Sequence, residues 1–346
     1  MRMPARTRAL VLCALVAAGC GKKASQPSGP PPELTGLAAV PASAEVVAGA
    51  DVAKLASAPI VERAVDQLLL HDLGLRERWA KLRDDCKLDV ARQVKRVMLA
   101  IGPAPAAAQG ERVGTGPVIM VVVGDVHEDA LKDCVTKMVG QGGGSVTGKP
   151  IGGRTLYLAK DGNRTMYFGY GRPDTVVLGS SEAYVTEALG AGKKATDNPD
   201  LTRWMKRIDP SLALWAVGRI DPRVGDGLVR VTSGKLAHGP VAVAAMADLA
   251  DGAKLTLNAI MATTADAKSL ESYVKGELAL LTAAAQLKSL GAVVAKVAVS
   301  VDDDVVQFRA PLTVDDLNQL LSALDGGGTS AQDSAPATPG SGSGTK

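Results

Sequence analysis

The chain has 346 residues, of which 46% are apolar but only 3% aromatic. Its length allows a substantial core built from Ala, Val, Leu and Ile, and the few rings leave little for stacking on sugars or bases, although three Trp remain. Residues 1–19 carry Arg2, Arg6 and Arg8 and no acid, so without them the formal charge falls from +3 to 0; the body then has no basic field to draw nucleic acid or anionic lipid.

In chain order, Met1 to Arg8 is basic, Ala9 to Ala18 is uncharged and apolar, and small residues lead to Cys20. That grammar predicts a secretory leader over 1–19. The apolar part, about ten residues, is too short to cross a bilayer as a helix, which needs about 20. Ala18-Gly19-Cys20 resembles the lipobox of bacterial lipoproteins, with Ala17 where Leu is usual. The resemblance covers the first 20 residues. It implies that Cys20 is acylated, becomes the new N-terminus and tethers the chain to a membrane. Gly21 rather than Asp after the cysteine resembles lipoproteins passed to the outer membrane. An ordinary cleaved leader is the alternative. Residues 20–33, with Pro27, Pro30, Pro31 and Pro32 among Ser25, Ser28 and Gly29, read as a stiffened polar tether.

The run 44–51 reads as a strand. Ile60, Val61, Ala64, Val65, Leu68 and Leu69 fall on one face of a helix, and Leu75, Trp79 and Leu82 line a second over Leu73 to Asp85. Strands over 94–102 and 116–124 follow, predicted to pair antiparallel. Asp125 is expected to cap a helix from Glu128 to Val139, which "GQGGGS" ends. Short strands near 154–160, 164–170 and 175–179 precede a helix begun by Ser180 or Ser181.

The second part repeats this order. The strand 211–221 stands for 44–51, two strands follow it, and a long helix covers Asp266 to Leu290. A hairpin over 295–312 turns at Asp302, Asp303 and Asp304. Thr313 and Asp316 form the pattern of a capping box for Val314 to Leu324. The fold class expected is therefore α+β, as two related units over about 34–195 and 205–325, each an antiparallel sheet with helices packed on one face. The tail 326–346 has almost no apolar bulk and reads as disordered. Pro41-Ala42-Ser43-Ala44-Glu45-Val46-Val47 through Asp51 is similar to the opening strand of uncharacterised secreted bacterial lipoproteins, a resemblance that implies no activity.

Of four cysteines, Cys13 leaves with the leader and Cys20 takes the lipid. Cys86 and Cys134 are left to form a disulfide, or to lie apart as buried thiols. No cofactor or metal site is expected: His71, His127 and His238 are the only histidines and no zinc spacing exists. "GDVHEDALKDC" groups Asp125, His127, Glu128 and Asp129, which read better as an acidic first turn than as metal donors. "GQGGGS" follows a helix rather than opening one, so it is no phosphate cradle. Ser180 and Ser181 lack a nucleophile elbow. "LTRWMKRIDP" (201–210) reads as a linker helix, or else as an amphipathic piece for a membrane or partner. Together these features predict a non-enzymatic, lipid-anchored envelope protein, with an envelope protein as partner. A periplasmic carrier of an apolar small molecule or lipid is the alternative, and a hydrolase with an unrecognised site a second.

Overall fold

The computed structural model describes residues 33–105, 112–286 and 291–326. The leader, Cys20, nearly all of the tether and all but the first residue of the tail lie outside the described residues. In chain order the elements are β1 (Val46–Asp51), α1 (Val52–Ala56), α2 (Pro59–His71), α3 (Leu73–Asp84), α4 (Val90–Gln93), β2 (Val94–Ile101), β3 (Val118–Gly124), α5 (Glu128–Gly140), β4 (Ser145–Ile151), β5 (Arg154–Asp161), β6 (Arg164–Arg172), β7 (Thr175–Gly179), α6 (Glu182–Leu189), α7 (Pro199–Met205), β8 (Leu214–Arg219), α8 (Pro222–Val231), β9 (Ala242–Asp248), β10 (Ala253–Ile260), α9 (Thr264–Gln286), α10 (Gly291–Val294), β11 (Ala298–Asp302), β12 (Val305–Leu312) and α11 (Val314–Gly326).

Local chemistry sets most helix starts. The carboxylates of Asp51, Asp72 and Asp89 accept from backbone N–H groups two or three residues into α1, α3 and α4. Ser181 caps α6, and Asn198 caps α7 ahead of Pro199, a residue whose missing N–H costs nothing at that position. The Thr313–Asp316 box is closed in both directions: Asp316 N–H donates to Thr313 Oγ1 at 3.2 Å, and Thr313 N–H to Asp316 Oδ2 at 2.6 Å. Asp125 does not cap α5. His127 holds the cap position without a side-chain bond, and Asp125 lies 3.3 Å from its ring. The strand β4 was hidden by Gly148 and Pro150. It is an edge strand, where a proline breaks no ladder.

All twelve strands form one antiparallel sheet, ordered β11-β12-β10-β9-β8-β1-β2-β3-β7-β6-β5-β4. The expectation of a separate sheet in each half is corrected here. β1 and β8 pair directly, Val47 opposite Val217, and fuse the halves into one surface. Helices also cover both faces rather than one. On the back face, Val47, Ala100, Val121, Val177 and Val217 share a core with Tyr184 and Val185 of α6 and Leu201 and Trp204 of α7. The connection between the halves thus packs Leu201 and Trp204 into the back-face core. Trp204 is 5% exposed, which corrects the membrane-touching alternative for 201–210. On the front face three smaller clusters form: α5 over β3, β7, β6 and β5, α8 and α9 over β10, β12 and β11, and α10 and α11 with the start of α2 near Leu312.

Candidate functional site: an apolar trough on the front face

The front clusters leave the middle of the sheet uncovered. The register aligns two rows of directly opposed residues there. One reads Leu99-Ala48-Ala216-Ala245-Leu257 across β2, β1, β8, β9 and β10, and the other Val97-Ala50-Leu214-Ala247-Leu255. Strand side chains alternate between faces, so every one of these points forward. In the first row three alanines lie between two leucines, in the second Leu214 stands between Ala50 and Ala247, and together they line a trough of about 520 Å³, within the usual range for small-molecule sites. Leu99, Leu214, Leu255 and Leu257 are each exposed. At one end Leu55 of α1, together with Ala58 and Val61, belongs to the same apolar cluster as Ala213 and Ala247.

The same alternation sends polar residues backward. Asp51, Arg96, Arg219, Asp248, Lys254, Thr256 and Asn258 all lie, by register, on the opposite face. Lys95, the extra residue where the β2–β3 register shifts, stands outside this pattern. Asn258 is buried there but satisfied. Its amide donates to the Arg207 carbonyl at 2.8 Å, and its oxygen accepts from Gln307 at 3.0 Å. No charged side chain lines the trough. Behind it, Trp215 lies against Gly49 in the adjacent strand. A Cβ on Gly49 would sit 2.2 Å from the Trp215 ring, so only glycine admits the indole here.

No protein-family model matches the chain, and no curated protein matches it. Among solved structures it is similar to the one titled "Structure of crystal form I of TP0453", with a TM-score of 0.45 and 10% sequence identity, over 84% of this chain and 98% of that one.

The residues singled out from the sequence do not converge. Cys86 and Cys134 are bonded to each other, joining the segment after α3 to α5. Ser181 Oγ accepts from Tyr184 N–H as a helix cap, and Ser180 Oγ accepts from Val118 N–H across the strand end. Among the described residues no hydrogen bond or ion pair links either serine to a histidine. His71 ends α2 and is exposed. His238 Nδ1 lies 3.1 Å from the buried Asp266 carboxylate. Burial would raise Asp266, but hydrogen bonds from Thr263, His238 and two backbone N–H groups outweigh it and hold the carboxyl below its usual range. The Asp302–Asp304 turn is divided between partners: Arg207 meets Asp302 at 3.0 Å and Asp304 at 3.5 Å, while Asp303 accepts from Thr264. No cation centre is assembled there.

Sequence reasoning did not find the trough. Its signal was present in "AKLTLNAI", where Lys254, Thr256 and Asn258 alternate with Leu255, Leu257 and Ala259. Such a strand has one apolar face. Nothing in one strand tells whether a helix covers that face.

Proposed function

We propose that this chain is a lipid-anchored protein of the bacterial cell envelope, held at a membrane through Cys20, that binds an apolar chain in the front-face trough without chemistry on it. The observation that carries the reading is the trough: a solvent-open strip lined almost wholly by apolar residues, with no charged side chain among them. Burying methylenes there would contribute about 0.8 kcal/mol each, offset by the entropy lost on association. The leader and lipobox resemblance supports the location, in the outer membrane by Gly21. Among the described residues no helix is long and apolar enough to cross a membrane, so on this reading the lipid on Cys20 makes the attachment.

We read the body as two related units, 34–195 and 205–325. From the β1–β8 seam the strands run β1-β2-β3-β7-β6 one way and β8-β9-β10-β12-β11 the other. The first unit adds the β4–β5 hairpin at its edge. A second reading, a module that docks an envelope protein, is favoured by the apolar residues that α2 and α3 leave outside: Leu68, Leu70, Leu73 and Trp79.

The test is purification of the full chain from its native membrane in mild detergent after light crosslinking, followed by mass spectrometry and lipid extraction. The reading expects an acyl-modified Cys20 and a co-purifying apolar molecule that Ala216→Leu, in the trough floor, reduces. An unmodified Cys20 on soluble protein overturns the location. A folded protein that carries no apolar molecule and takes none up overturns the binding role.

A further inference from the structure

We infer that the trough takes a single-chain amphiphile and reads the chain, not the headgroup. This rests on the binding role proposed above. The shape comes first. The trough crosses five strands, which at about 4.8 Å between neighbours makes it roughly 19 Å long. Along the strands it spans only two same-face residues, roughly 7 Å. Carbon atoms in contact sit about 3.5–4.0 Å apart, so this width seats one aliphatic chain. Leu214, standing in the second row between Ala50 and Ala247, narrows the low path further, to the Ala48-Ala216-Ala245 row.

The floor and flanks say the same. Ala48, Ala216 and Ala245 form a low path between Leu99 and Leu257. A headgroup has nothing to bind. No charged side chain lines the trough, and apart from Lys95 at the β2 register shift the ionic residues of these strands lie behind the sheet. The ligand's polar end therefore stays in water, and its charge makes no difference to affinity.

The experiment uses the mature full chain and three probes of one chain length below their micelle concentrations: hexadecanoate, hexadecylphosphocholine and hexadecyltrimethylammonium. The dissociation constants are expected to agree within about threefold and to hold between low and high salt. Across dodecanoate, tetradecanoate and hexadecanoate, affinity should rise about fourfold per methylene, the equivalent of about 0.8 kcal/mol per CH₂. Ala216→Leu should weaken all probes alike by tenfold or more. Leu257→Ser, at the more exposed flank, should weaken them severalfold in a chain whose circular dichroism matches wild type's. A preference for one headgroup charge, a steep salt dependence, or equal affinity for a diacyl phospholipid monomer overturns the inference and leaves the binding role standing. If no probe binds a chain whose circular dichroism shows it folded, the binding role itself falls.

Discussion

Replacing both Cys86 and Cys134 by Ala tests how the α2–α3 segment is held. The bridge spans 48 residues of sequence. In the chain-entropy account a closed loop of that size restricts the unfolded chain by about 14 cal/mol/K, or about 4 kcal/mol at room temperature. Beyond Val61, which packs in the cluster near Leu312, and a hydrogen bond from Arg63 to Asn318, little else fixes α2 and α3. No residue of α2 is buried, and Val65, Leu68 and Leu70 are exposed. The nearby Lys137–Asp85 pair, 3.3 Å apart and largely solvated, contributes little. The variant should therefore lose up to about 4 kcal/mol in urea unfolding, and its amide exchange should quicken first across residues 59–93. The wild-type protein in reductant should behave alike. A stability within about 1 kcal/mol of wild type, or exchange that quickens first in β8–β12, would refute the argument.

Other outcomes are equally specific. Lys194→Met should destabilise by about 2–3 kcal/mol, seen as a lower thermal midpoint. Burial lowers this lysine from its usual range, yet its Nζ donates to the Glu187 and Ala188 carbonyls at the end of α6; an unchanged midpoint would show that these bonds are replaceable. Gly49→Ala should cost about 1–3 kcal/mol and shift tryptophan emission to the red as Trp215 is pushed out, whereas wild-type emission would mean that the strand yields instead. Asp316 is held down to about 2, chiefly by Lys296 and then by Thr313. A depressed carboxyl contributes stability above its unfolded value of about 4, lost as pH falls toward 2. Asp316→Asn should flatten that part of the acid-unfolding curve, and a curve identical to wild type's would refute the assignment.

Much of the fold was written in local pattern. The α5 helix, the Ser181 and Thr313 caps, the 295–312 hairpin and the β2–β3 pairing follow from periodicity and capping chemistry, which act over a few residues. What was not legible acts at long range. Nothing near Val47 announces that it will lie opposite Val217, so the single sheet was hidden. The stripe on α2 reads as a core face, yet Leu68 is 54% exposed, because an amphipathic pattern records a preference and not a partner. The trough was missed for the converse reason. Ala48, Ala216 and Ala245 look like ordinary interior strand residues and become a floor only when three distant strands align.

The seam between β1 and β8 also bears on how the molecule is made. Val47 emerges from the ribosome 170 residues before Val217, its neighbour in the ladder. Until then the open edge of β1 is free to pair with whatever strand is nearby. Contacts of such separation form late and slow the approach to the native state. A nascent chain halted before residue 214 thus has a sticky border where the finished protein has its midline, and a holdase that shields this border would raise the yield of correctly joined sheets.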